Sequence, residues 1–394
     1  MIKFGFRHNL IFPLMLITFN FIRKIDLLVL DKIFDFSFSM LLTFLMFSGE
    51  FFAGLILYKY QTSFLPKKNQ NTFMGIKLIQ SSSDLSPRDS SFKMNLLIFM
   101  ASFFDFIEFL LSTFYVPQYK DKSKSLEIRL SSILTISSAL FFYFVLKLPL
   151  FKHQIFSLLV IVICLVLICF FEYLYEILYV KKTLNIIVFV LIIFVHIFNS
   201  LLDSIEKYLV EYNYLNPFKT LMMEGMFGLI LSFCYSFVKN PFIEIINFNG
   251  SNIKFSVLII LLFLYFLLSG GRNAYRVATN KIYSPMTKSL TDYILNPFLL
   301  TYYYVLDNDF EDSEHQNQNI FYFIINLIIS IVIVFFGCVF NEIFILFCCN
   351  LEYNTHNQVS MRASTVDLDE EENEDNLSDN DDDEEKINQN KNDT

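Results

Sequence analysis

The sequence predicts an all-α polytopic membrane protein: ten transmembrane helices arranged as an inverted five-plus-five repeat. Three observations lead there. Ten long apolar runs punctuate the 394 residues. The chain is 54% hydrophobic and only 18% charged, where a soluble domain carries about 25% charged residues. A short motif in the second run returns in the seventh.

The runs are Leu10–Ile22, Phe38–Tyr58, Leu96–Val116, Leu126–Leu146, Ile155–Leu174, Ile186–Ile205, Phe218–Val238, Phe255–Leu268, Leu290–Leu306 and Ile320–Phe347. A helix needs about 20 apolar residues to cross a hydrocarbon core about 30 Å thick. Inside lipid every backbone N–H and C=O must be satisfied within the segment, which selects helices. The first and eighth runs are short. The last is long enough to span with tilt. The first run follows Lys3 and Arg7 as a signal peptide would, but Arg23 and Lys24 come directly after it with no small-residue cleavage site, so it reads as a first membrane helix.

Between the runs, charge sets orientation. With both ends cytoplasmic, the inside segments carry 16 Lys/Arg and the outside loops 11, in the sense of the positive-inside rule. Asn249-Gly250-Ser251 is a glycosylation sequon on the outside face. Residues 59–93 form a polar cytoplasmic loop. Residues 363–394 hold fourteen Asp/Glu and two Lys, a net −12 against −9 for the whole chain, so residues 1–362 net +3. That segment has too few apolar groups to fold alone. The expected division is residues 1–181 as the first five-helix half, 182–349 as the second, and 350–394 as a disordered acidic cytoplasmic tail. Ser364 and Ser378, each with Asp three residues on, fit acidophilic kinases. The six cysteines lie in or beside apolar runs without zinc-site spacing and read as small buried hydrophobes. No metal and no cofactor is expected.

The repeated motif is Met46-Phe47-Ser48-Gly49-Glu50-Phe51-Phe52-Ala53-Gly54-Leu55-Ile56-Leu57 against Met222-Met223-Glu224-Gly225-Met226-Phe227-Gly228-Leu229-Ile230-Leu231. Both place a carboxylate and glycines before an aromatic–glycine–aliphatic run. Five is odd, so two such halves insert with opposite orientation, the architecture of many secondary transporters. Chance likeness between two Phe/Leu-rich helices is the alternative.

These residues also resemble a known family. Phe44–Tyr58 with Met46-Phe47-Ser48-Gly49-Glu50, the stretch Glu127–Gln154, Asn216-Pro217-Phe218 with Glu224-Gly225-Met226-Phe227-Gly228, and Gly337-Cys338-Val339-Phe340-Asn341 are similar to the drug/metabolite transporter superfamily. Within it they resemble the solute-carrier branch of nucleotide-sugar transporters and their orphan relatives. The resemblance covers roughly residues 10–348, thinly. It implies ten helices in inverted halves around a central cavity that opens alternately to each side, lined by the fourth and ninth helices. The polar loop 59–93, the helix-disrupting stretch Ser269–Arg276 and the acidic tail depart from the pattern.

Ionisable residues within the apolar runs mark candidate sites, because a charge at mid-bilayer costs about 2.5–3.5 kcal/mol on insertion scales. Glu50 and Glu224 are expected to face the cavity and bind substrate or a coupling proton; an interhelical hydrogen bond is the plainer alternative. Asp105 and Glu108 share a face at i, i+3, with Arg276 as counter-ion, for structure or for substrate. Arg129 opens the fourth helix ahead of Ser131, Ser132, Thr135, Ser137 and Ser138. Asn199, Asp203 and Glu206 share a face of the sixth helix, with Lys207 placed to pair Asp203. In the ninth run Asn296-Pro297 loosens the helix. Ser269-Gly270-Gly271-Arg272-Asn273 is a hinge or a helix end, and not a nucleotide loop. His196 and His153 read as structural.

The expected function is a secondary transporter that moves a small polar or charged solute by alternating access. The alternative is a non-transporting membrane scaffold that recruits partners through its acidic tail. No His has an Asp four residues on and no G-x-S-x-G occurs, so no enzyme is expected. Expected partners are a small-molecule substrate and the lipid bilayer, with a homodimer and a cytosolic partner of the tail as candidates, and no nucleic acid. An endomembrane is favoured over the plasma membrane.

Overall fold

The computed structural model describes residues 10–34, 40–64, 72–73, 76–77, 89–115, 123–147, 150–175, 177, 186–237, 252–307, 316–346 and 355. The acidic tail apart from Thr355, the sequon at Asn249, and Asn308–His315 of the last outside loop lie outside these residues.

The described chain is helical apart from one short antiparallel pair, Thr72–Phe73 with Ile76–Lys77. The helices are α1 (Ile11–Phe34), α2 (Met40–Lys59), α3 (Ser91–Leu110), α4 (Ser123–Leu130), α5 (Ile133–Leu146), α6 (Lys152–Tyr175), α7 (Ile186–Tyr212), α8 (Pro217–Ser236), α9 (Asn252–Ile282), α10 (Pro285–Tyr293), α11 (Asn296–Asp307) and α12 (Gln316–Phe340). Among the described residues, seven helical segments are long and apolar enough to cross a membrane: Met40–Phe64, Ser91–Thr113, Leu126–Val145, Lys152–Tyr175, Ile186–Tyr212, Phe255–Ile282 and Ile320–Phe340. The chain is a multi-pass membrane protein. Outward faces are apolar in helical register, as Ile155, Leu159, Val162, Val166 and Phe170 of α6 and Ile324, Ile328, Ile331 and Phe335 of α12 illustrate. The polar groups go inside, the distribution that lipid as solvent requires.

Two boundaries differ from the sequence reading. α1 does not stop at Ile22 but continues through Arg23 and Lys24 to Phe34. α9 runs unbroken for 31 residues, so Ser269–Arg276 is neither hinge nor helix end but mid-helix. The charges do not end these helices because they have partners on neighbouring ones. Arg23, Lys24, Arg129, Arg272, Arg276 and Lys288, counted above as loop charges, therefore sit in helices; three leave each side, and the counts become 13 Lys/Arg inside and 8 outside.

Packing centres on α2, held between α8 and α9 with bare backbone at the contacts. A Cβ at Gly225 would strike the Phe51 backbone, one at Gly54 the Met222 backbone, and one at Gly228 the Phe47 ring. These pairings run in opposite directions along the two helices, so α2 and α8 are antiparallel. On the other side Gly49 and Gly270 abut backbone to backbone, the close approach that small residues permit in membrane bundles. Gly270 is thus required for packing, and Gly271 faces the Phe19 ring of α1, where Phe19 also stacks on Tyr275 at 5.5 Å. Elsewhere α1 lies on α9, α3 on α7 and α8, α5 on α7, and α6 on α12.

Two helices are interrupted. Between α4 and α5 the chain tightens to i→i−3 hydrogen bonds, from Ser131 N to Ile128 O (3.3 Å) and Leu134 N to Ser131 O (3.0 Å), a short 3₁₀ step. Between α10 and α11 the break falls at Ile294-Leu295, where Pro297 removes the donor that Tyr293 O would use. The two breaks meet: Asn296 Nδ2 donates to Ile128 O (2.8 Å) and Ser131 Oγ (2.5 Å). Thr135 and Ser289 hydroxyls bond at 2.9 Å one turn away.

Candidate functional site

Arg276 of α9 is 1% exposed and lies among four carboxylates from four other helices. Its Nη2 lies 2.7 Å from Glu206 Oε1 of α7, 3.1 Å from Glu50 Oε1 of α2 and 3.5 Å from Glu224 Oε2 of α8. Its Nη1 lies 3.3 Å from Asp105 Oδ2 of α3. Glu50, Glu206 and Glu224 are as buried as the arginine. Helix spacing puts them there: Glu50 and Glu224 sit beside the glycines that bring α2 and α8 together, and Ser102 Oγ of α3 donates to Glu224 O (2.8 Å), holding the Asp105 turn against α8.

The polar chain continues sideways. Asn280, one turn after Arg276, donates through Nδ2 to Glu206 Oε2 (2.7 Å) and Asp203 Oδ1 (3.0 Å). Asp203 Oδ2 pairs with Lys288 Nζ of α10 at 2.7 Å, and Lys288 reaches Asp292 Oδ2 at 2.9 Å. Lys288 also donates to Asn199 Oδ1 (2.7 Å). Asn20 Nδ2 of α1 donates to Asp292 Oδ1 (3.1 Å), and Lys24 Nζ to Asp292 O (3.4 Å). Seven helices thus contribute to one buried network.

The network is rich in acid. Around Arg276 alone, four carboxylates share one guanidinium. Glu50 Oε2 and Glu224 Oε1 accept no hydrogen bond from any described donor. Glu206 and Glu224 lie on the same nitrogen of that guanidinium, Arg276 Nη2, at 2.7 and 3.5 Å. A second arginine, Arg272, stands one turn back on α9, buried, with Nη1 donating to Asn273 Oδ1 (3.0 Å).

Of the residues singled out from sequence, Glu50, Asp105, Asn199, Asp203, Glu206, Glu224 and Arg276 come together here. Arg276 is indeed the counter-ion of Asp105, whereas half-buried Glu108 is not within ion-pair distance of it. Lys207 does not pair with Asp203. It donates to Glu211 Oε1 (3.0 Å) and to the carbonyls of Lys281 (3.0 Å) and Tyr283 (3.1 Å), capping the end of α9 as a cation at a helix C-terminus should. Asp203 is left for Lys288. Arg129 lies apart, its Nη1 2.7 Å from Glu172 Oε2 and hydrogen-bonded to Tyr322 Oη, joining α4, α6 and α12. Asn296 serves the helix breaks. His153 Nε2 faces Glu342 Oε1 at 3.3 Å, between α6 and the end of α12.

Sequence reasoning did not single out Asn280, Lys288 or Asn20. The first two carried usable signals: Asn280 is i+4 from Arg276, and Lys288 is i−4 from Asp292, on shared helix faces. Asn20, alone in an apolar run, carried none.

Among the described residues no group of three or more His, Cys, Asp or Glu is disposed to hold a metal. No family model matches the chain, and no curated protein matches it.

Proposed function

We propose that this chain is a secondary carrier that moves a small polar or charged solute by alternating access between two oppositely oriented five-helix halves, residues 1–181 and 182–349. In this reading α4 with α5, and α10 with α11, each make one broken crossing, which brings the crossings to ten. Both termini face the cytoplasm of an internal membrane. The likeness to the nucleotide-sugar branch of the drug/metabolite transporters belongs to the same proposal.

The observation that carries it is that Glu50 and Glu224 converge on one guanidinium from antiparallel helices. Each lies four residues before the second glycine of its motif, Gly54 and Gly228. The pairing of helices supports it as well. α2 packs on α9, and its counterpart α8 packs on α3; α1 packs on α9, and its counterpart α7 packs on α3; α6 and α12 pack on each other. Exchanging the halves leaves this pattern unchanged. The interrupted crossings four and nine are counterparts too, and they touch through Asn296. Discontinuous helices at matching positions of inverted halves mark binding sites in carriers.

The test is a solute screen on the full chain in proteoliposomes. Flux that falls at least tenfold in Glu50→Gln and in Glu224→Gln, and survives deletion of residues 363–394, is the expected outcome. Flux untouched by both substitutions overturns the placement of the path. Partner capture that depends on residues 363–394, in a chain that moves nothing, establishes the scaffold instead.

A further inference from the structure

The acid excess is not relieved by the surroundings. Into the space around Arg276, α2 directs Glu50, α3 Asp105, α7 Glu206, and α8 Glu224; half-buried Glu108 lies one turn after Asp105 on α3, towards Arg272 and Arg23. The cations in reach are Arg272 of α9 and Arg23 of α1. Lys288 and Lys24 stand farther along, on Asp203 and Asp292. Seven acids therefore face five cations, leaving the network two positive charges short. Two oxygens in the middle of it, Glu50 Oε2 and Glu224 Oε1, receive no donor.

A missing positive charge can be supplied by a fixed side chain, by a cationic solute or by protons. Every described side-chain cation nearby is already counted. The Arg276 guanidinium itself fills the point where the four carboxylates converge, where a solute ammonium would otherwise sit. Glu206 and Glu224 meet at one nitrogen, Arg276 Nη2, at 2.7 and 3.5 Å, and a proton held by this pair offsets one of the missing charges. Protons need no room and fit the geometry.

We propose that the Arg276 cluster is a proton-coupling site, in which the Glu206–Glu224 pair and Glu50 hold exchangeable protons that drive the carriage. This rests on the carrier reading. Uptake from one face turns a carboxylate pair into a carboxyl hydrogen-bonded to a carboxylate, and release to the other face restores the pair. No bond to carbon changes and no oxidant is involved. Arg276 stays charged and orders the acids around it; the polar chain through Asn280, Asp203 and Lys288 ties its state to the broken crossing nine.

The test is pH-difference infrared spectroscopy of the full chain in lipid vesicles, reading the C=O band of protonated carboxyls. Asp26 of α1, buried with neither oxygen partnered, adds a band of its own, so spectra are taken in the Asp26→Asn protein. At least one further protonated carboxyl per chain is expected at pH 7, lost on raising the pH. It should fall by about one carboxyl in Glu224→Gln and stay unchanged in Glu211→Gln. If Asp26→Asn does not fold, the difference between wild type and Glu224→Gln gives the same reading. No band beyond that of Asp26, or a band indifferent to Glu50→Gln, Glu206→Gln and Glu224→Gln alike, overturns the proposal. The measurement needs neither solute nor flux. A chain that carries nothing can pass it, and a carrier driven by solute exchange can fail it.

Discussion

Removing the one cation from an acid-rich site should harm the fold far more than removing one of its acids. In Arg276→Leu, Glu50, Asp105 and Glu224 lose their ion pair, and Glu206 keeps only Asn280. Breaking a buried pair by deleting one partner costs about 3–5 kcal/mol, and here four carboxylates lose the same partner. In Glu224→Gln the guanidinium keeps three carboxylates. At an effective dielectric constant near 20, a contact of 2.7 Å is worth about 6 kcal/mol of gross attraction and one of 3.5 Å about 5 kcal/mol. Glu224, at 3.5 Å, is thus the acid whose loss forfeits least attraction to the guanidinium. Arg276→Leu should lower stability by at least about 3 kcal/mol, and Glu224→Gln should change it by less than about 1 kcal/mol in either direction. Combining the two should recover part of the arginine loss. The assay is thermal unfolding of the reconstituted chain at one scan rate, because membrane proteins of this size unfold irreversibly. If Glu224→Gln is as damaging as Arg276→Leu, each acid is a needed counter-ion, and the case for surplus negative charge fails.

Other outcomes follow from the packing. Gly225→Ala drives a methyl into the Phe51 backbone and should cost about 1–3 kcal/mol as an overpacked contact, whereas Met226→Ala next door, facing outward, should cost little; size-exclusion profiles and melting curves compare them. Asn296→Ala strips the donor from Ile128 O and Ser131 Oγ and should cost about 1–3 kcal/mol, with faster amide exchange at Ser131–Ile133. Asp89, outside the membrane segments, is held below the usual carboxylate range first by the Lys93 ammonium and then by Asn213. Its contribution is therefore complete above about pH 4 and is lost as pH falls through its lowered folded value. The stability difference between wild type and Asp89→Asn should shrink on acidification and vanish once both states are protonated.

The helical cores were legible because lipid demands long apolar runs, and α6, α7 and α12 fall where such runs lie. The ends were not. Hydropathy reads Lys24 or Arg276 as a place where a helix leaves the membrane, since a single residue carries no record of its partner. Asp105, 171 positions before Arg276, and Asp292, 268 after Lys24, make those cations tolerable inside. The same blindness explains the site. Isolated acids in apolar runs, Glu50 and Glu224, stand out, whereas Asn280 and Lys288 lie in a polar stretch that resembles a loop. Gly270 shows the limit from the other side: two adjacent glycines suggest flexibility, yet what needs Gly270 is the backbone of α2.

At the crossing of α2 and α8, main chain rests on main chain at Gly225 and Phe51. Such a contact has no side chain to compress or re-rotamer, so it resists sliding and tolerates tilting. In the proposed carrier it would serve as a bearing. A residue ten positions from it is about 15 Å away along the helix, and a tilt of about 10° there swings the helix end by nearly 3 Å. Glu224, adjoining the bearing, hardly moves in such a rotation, while the ends of both helices sweep through the headgroup region. Under the carrier proposal, motion of this kind would leave the charged centre in place and change which side of it water can reach.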